Sequence, residues 1–154
     1  MLKKILIYTF ILLFNFGCDY KPLYQNKTKD NFNILFNDSE GNNQINSMIQ
    51  SYLKRYNNNN SSKIFNIKLN SSYEKIIVAK DAAGNATNYQ IVITSNFYIK
   101  NKTIDKSLTI VEKFNFNEGT NTFENNDYER VIKNNMVSSI VNKLLLDLRK
   151  IRWS

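Results

Sequence analysis

Three stretches of this chain alternate apolar and polar residues with a period of two, and that alternation restricts the fold more than any other feature. In the first, Phe65, Ile67, Leu69, Ser71 and Tyr73 share one face, and the stretch continues through Ile76, Ile77 and Val78. In the second, Tyr89, Ile91, Ile93, Ser95, Phe97 and Ile99 alternate with Gln90, Thr94, Asn96 and Lys100. In the third, Leu108, Ile110, Phe114 and Phe116 alternate with Thr109, Lys113 and Asn115. Successive side chains on a strand point to opposite faces, so each stretch predicts a strand with one buried face. The links at 81–85 and 101–105 are short, polar and turn-like, which makes them hairpin tips. Three strands joined by two hairpins form an antiparallel meander.

A sheet with one apolar face needs a second layer. Ile45, Met48, Ile49, Tyr52 and Leu53 follow the i, i+3, i+4, i+7, i+8 spacing of an amphipathic helix. That helix is expected to end near Tyr56, ahead of a polar loop at 57–60. A second helix is predicted over about 126–149, striped by Val137, Ile140, Val141, Leu144, Leu148 and Ile151. Lys143, Arg149 and Lys150 lie toward its C-terminal end, where the helix dipole favours cations. A short apolar segment at 33–36 reads as a first strand, and the Asn and Ser residues of 38–43 are candidate helix caps. The order is β-α-β-β-β-α, with no internal repeat. The predicted class is α+β: a two-layer sandwich with a mostly antiparallel four-stranded sheet and both helices on one face.

The chain has 154 residues, room for a leader and one domain of roughly 120 residues with a core of its own. It has no histidine and a single cysteine. Ser-His-Asp or Cys-His catalysis, Cys/His zinc sites and an internal disulfide are therefore excluded. No cofactor or metal is expected, and no catalytic carboxylate pair is evident, so the chain is not read as an enzyme. Glu112, Glu118 and Glu124 are read as surface residues. Asp81 and Gly84 are read as turn chemistry, because the further ligands of a calcium loop are missing. The net charge is +8, of which Lys3 and Lys4 contribute two. The remaining lysines are scattered singly, without the basic run of a nucleic-acid patch, so no nucleic-acid partner is expected.

The first seventeen residues have the order of a secretory signal. Lys3 and Lys4 supply the positive start, an apolar run extends over 5–16, and Gly17 precedes Cys18. That run is too short to span a bilayer, which takes about 20 apolar residues. A cysteine directly after such a run is the acceptor of a lipoprotein signal, so Cys18 is the expected lipidation site and the new N-terminus. Asn15 and Phe16 depart from the Leu and small residue usual at those positions. Residues 1–17 are thus a signal peptide, 18–31 a tether holding the only proline, Pro22, and 32–154 the domain.

The run Cys18, Asp19, Tyr20, Lys21, Pro22, Leu23, Tyr24 resembles the Cys-Gly-Phe-Arg-Pro-Leu-Tyr start of the LptE lipoproteins of lipopolysaccharide assembly, in their alphaproteobacterial form. The element order is similar to theirs. So is the loop at 81–88, with Asn88 where the family usually has Arg, and so is the placing of Tyr128 ahead of the last helix. The resemblance implies an outer-membrane lipoprotein facing the periplasm, which plugs the β-barrel LptD, assists its assembly and helps deliver lipopolysaccharide to the cell surface. It also implies that Tyr20, Pro22, Leu23 and Tyr24, with Tyr98 on the strand face, contact a partner. Lys80, Lys100, Lys102 and Lys106, near the two hairpin tips, are the candidate cations for the anionic glycolipid. Lys80 stands in for the missing Arg. Asp19 follows the cysteine where a small residue is usual, a pattern that retains some lipoproteins in the inner membrane. The rival reading is a free-standing periplasmic binding or scaffolding lipoprotein without a barrel.

Overall fold

The computed structural model describes residues 32–117 and 122–151. The elements are β1 (Asn33–Gly41), α1 (Asn43–Lys54), β2 (Ile64–Lys80), β3 (Ala86–Lys100), β4 (Asp105–Asn117) and α2 (Thr122–Arg149). The strands form one sheet in the order β1-β2-β3-β4. β1 pairs parallel to β2 across the α1 crossover, and the other two pairings are antiparallel. The α+β class, the element order and the mostly antiparallel sheet are as the periodicities predict.

Both helices pack on the same face. Ile45, Ile49 and Leu53 of α1 and Val137, Ile140, Val141, Leu144 and Leu148 of α2 join Phe65, Ile67, Leu69, Ile91, Ile93, Phe97 and Ile99 in one buried cluster. Phe32 closes one end, its ring edge-on to Phe65 at 5.4 Å. The opposite sheet face is uncovered, and polar side chains on it alternate with exposed apolar ones such as Leu35, Ile76, Tyr98 and Val111. Gln90 donates to Asn115 (2.8 Å), Asn88 to Asn117 (2.6 Å) and Thr109 to Asn96 (2.7 Å), forming an amide and hydroxyl ladder.

The strand β1 runs further than its apolar residues do. A bulge between Phe36 and Asp38 restores pairing, so that 38–41 pairs with 68–71. Lys68 Nζ lies 3.2 Å from Asp38 and 2.7 Å from Glu40, which holds a turn-like composition extended. Asn42 is the cap of α1: its Oδ1 accepts from the Ile45 amide at 3.0 Å. Before it, Gly41 has φ +84 and its α-carbon faces the Ser71 carbonyl, so that a Cβ there would fall 2.1 Å from that oxygen. α1 ends at Lys54, two residues before the expected Tyr56, and α2 begins at Thr122, four residues before the expected Asn126.

The sheet has two distinct ends. At the entry end, β1 and β2 start, β3 turns into β4, and both helices finish. At the hairpin end, β2 and β3 continue past the helices: no residue of β2 beyond Tyr73 is buried, and Ile76, Ile77 and Val78 are about half exposed.

Candidate functional site

The structure divides the four candidate lysines between the two ends. Lys80 pairs with Ala86 at the hairpin tip, whereas Lys100 pairs with Asn66 on one side and Asp105 on the other. Along β2 the two places are about 45 Å apart at the usual strand rise. One glycolipid headgroup therefore cannot touch both groups.

The hairpin tip is built on Asp81. Its Oδ1 accepts from the Ala83 amide (2.9 Å) and the Asn85 amide (2.8 Å), and its Oδ2 from the Asn85 side chain (3.1 Å). The side-chain bond from Asn85, then the backbone amides, hold the carboxyl below its ordinary range. Gly84 closes the turn with φ +88. This carboxylate is consumed by the turn, and no cluster of three metal-ligating side chains occurs among the described residues. Lys80 is exposed beside it. Asn88 is tied to Asn117 across β3 and β4 and is not directed at the tip.

At the entry end, Lys63, Lys100 and Lys102 border an open depression of about 710 Å³ with Leu35, Ile64 and Asn66. Leu35 and Ile64 are 44% and 39% exposed, so cations and apolar surface adjoin. Lys100 lies 3.9 Å from Asp105 with both side chains largely in solvent, a pair worth little. Lys106 is instead engaged with α2, its Nζ 2.7 Å from Asp147. Tyr98, 49% exposed on the uncovered face, borders a neighbouring hollow with Lys68 and Asp105. Cys18, Tyr20, Pro22, Leu23 and Tyr24 lie outside the described residues, as does Glu118.

Two charged groups were not legible as a pattern. Glu112, expected at the surface, lies on the core-facing side of β4 in step with Ile110 and Phe116. There it accepts from Ser139 Oγ and pairs with Lys143 Nζ, both at 2.7 Å, with its side chain 18% exposed. The same alternation that exposes Lys113 sends Glu112 inward, toward α2. The second group centres on Glu129. It accepts from Tyr73 OH (2.7 Å), Lys133 (2.8 Å) and Lys75 (3.2 Å). Lys133 stands 4.5 Å over the Tyr73 ring and Lys75 4.5 Å over the Tyr89 ring. Burial alone would raise the Glu129 carboxyl, but the bonds from Lys133, Tyr73 and Lys75 hold it at about 2. Burial, then Glu129 itself, pushes the Tyr73 phenol up. One carboxylate is shared by two lysines and a phenol, and the cluster fastens α2 to the base of the hairpin. The Glu-to-Lys spacing of 129 and 133 on one helix face was its only sequence signal.

No helix among the described residues is long and apolar enough to cross a membrane. No family model matches the chain, and no curated protein does. Solved structures do. Rare lipoprotein B from Shewanella oneidensis superposes with a TM-score of 0.54 at 12% identity, over 73% of this chain and 94% of that one. An uncharacterized lipoprotein B from Nitrosomonas europaea gives 0.47 at 11% identity, over 77% and 84%. A minor lipoprotein from Acinetobacter baumannii gives 0.42 at 11% identity, over 71% and 93%. At such identities what is shared is the backbone arrangement, and the chain has the fold of the Shewanella lipoprotein.

Proposed function

We propose that this chain is a lipid-anchored lipoprotein of the outer membrane that acts by binding, without catalysis, as the plug and assembly partner of the LptD barrel in lipopolysaccharide delivery. The observation that carries this reading is the coincidence of two features. A leader ends at Cys18 and opens an LptE-like run, and the domain behind it has the fold of a lipoprotein. The uncovered sheet face supports the plug role. Its amide and hydroxyl ladder suits the polar, water-filled interior of a barrel, whereas a lipid-facing surface would be apolar. The glycolipid contact is assigned to the hairpin end, where exposed Lys80 follows the half-exposed Ile76, Ile77 and Val78. A cation beside apolar side chains matches a phosphorylated amphiphile.

Labelling of growing cells with radioactive palmitate tests the anchor: label is expected on the chain and lost on Cys18→Ser. Retention on immobilised lipopolysaccharide tests the contact. Lys80→Ala is expected to weaken retention several-fold, and unchanged retention removes Lys80 from the reading.

A specific observation also favours the rival reading. The described residues share one buried core of their own, which is what a free-standing domain requires. A free-standing periplasmic lipoprotein would leave the uncovered face in water.

A further inference from the structure

Eight of the fifteen cations among the described residues lie at one end of the domain. α1 finishes on Lys54 and Arg55, and the loop into β2 carries Lys63. The β3–β4 hairpin carries Lys100, Lys102 and Lys106, and α2 finishes on Arg149 and Lys150. Against these eight cations the described residues of the entry end hold two carboxylates, Asp105 and Asp147. Over the remaining described residues, seven cations face eight carboxylates. Among the described residues, the excess of positive charge therefore sits at the entry end. Direct ion pairs occur in both parts: Lys106 meets Asp147 at the entry end, and elsewhere Lys68 meets Asp38 and Glu40, and Lys75 and Lys133 meet Glu129.

We propose that the entry end is a contact surface for anionic phospholipid headgroups, which fixes the orientation of the domain at its own membrane. The proposal rests on the lipoprotein reading for its geometry. The described chain begins at this end: the Phe32 carbonyl accepts from the Asn58 amide at 3.1 Å, and Asn33 pairs with Ile64. The segment back to Cys18 can reach at most about 50 Å even when fully extended, so the anchored bilayer lies within that reach of this end. Acyl chains on Cys18 limit the distance to the membrane but leave the domain's orientation free. Clustered lysines near an anionic surface supply the missing torque, because their attraction fades within a Debye length. The depression adds the complementary apolar element, with Leu35 and Ile64 beside Lys63, Lys100 and Lys102.

The test uses the mature chain from Cys18 to Ser154 carrying Cys18→Ser, so that no acyl chain contributes. It is expected to sediment with vesicles of phosphatidylcholine mixed with phosphatidylglycerol, to stay in solution with phosphatidylcholine alone, and to be released by added salt. Lys100→Gln with Lys102→Gln is expected to weaken binding about tenfold or more. Lys113→Gln with Arg130→Gln removes the same charge from the rest of the molecule and is expected to leave binding nearly unchanged. Equal losses in the two double variants would reduce the effect to net charge and overturn the proposal. So would equal binding to phosphatidylcholine, or lysines 100 and 102 acting on lipopolysaccharide micelles and not on the mixed vesicles. Palmitate labelling separates the two readings. Label without vesicle binding sinks this proposal alone, and vesicle binding without label sinks the lipid anchor alone.

Discussion

Ser71 and Ser95 face each other across β2 and β3, both buried on the core side. Ser71 Oγ donates to Asn46 Oδ1 at 2.7 Å, and Asn46 in turn donates to the Glu40 carbonyl at 2.7 Å. Ser95 Oγ has no hydrogen-bond partner among the described residues. Two chemically identical substitutions are thus expected to differ. Ser71→Ala strands the buried Asn46 oxygen and lowers stability by about 1–2 kcal/mol, whereas Ser95→Ala is neutral or gains up to about 1 kcal/mol. Urea unfolding of the two variants measures this, and the opposite order would contradict the burial account. Glu129 makes a second prediction at this scale. Its carboxyl is lowered from 4.5 to about 2, so its contribution is complete above pH 5 and is lost as the pH falls toward 2. With the side chain 18% exposed, the loss is on the order of 1–2 kcal/mol after allowance for screening. Glu129→Gln is expected to flatten that part of the stability profile. Neither pair was readable from the chain. Alternation places Ser71 and Ser95 inward, but which one finds a partner depends on where Asn46 of α1 lands.

The elements were legible where apolar residues recur and obscure where polar ones hold a shape. β2, β3 and β4 follow directly from their alternation, and α1 and α2 from their stripes. β1 did not, because Asp38, Ser39, Glu40 and Gly41 have the composition of a turn. They are strand because β2 offers them a parallel edge and Lys68 offers two carboxylates a partner. The outer edge of β1 is guarded by a side chain. Asn57 donates to the Ile34 carbonyl at 3.0 Å and accepts from the Ile34 amide at 3.2 Å, in the manner of another strand. A run of asparagines that reads as loop thus supplies an edge cap. The two glycines with positive φ separate strain from space. Gly41→Ala sets a Cβ 2.1 Å from the Ser71 carbonyl as well as straining φ, and is expected to cost on the order of 2–3 kcal/mol. Gly84→Ala meets nothing within 4 Å, and is expected to cost about 1 kcal/mol from φ alone. Thermal melts of the two variants give the comparison, and equal costs would remove the close approach from the account.

At the scale of the molecule, the domain is polarised in two directions. One sheet face is buried under helices and the other is uncovered, a polar ladder set among exposed apolar side chains; among the described residues one end carries the excess positive charge and the other a projecting hairpin with an apolar flank. The fold class was in the sequence, but this polarity was not, since scattered lysines look evenly spread until the β3–β4 hairpin and both helix ends meet at one place. The four candidate lysines were legible as hairpin residues, and their separation into two ends required the register of β2 with β3. The polarity suits a body held at one end by lipid and enclosed along its uncovered face by a partner. The measurement that bears most directly on this account is purification of the full-length tagged chain from detergent-solubilised outer membranes, followed by identification of what accompanies it. The account predicts a large outer-membrane β-barrel in roughly equal amount, retained in high salt. Recovery of the lipidated chain from that membrane with no barrel would contradict it.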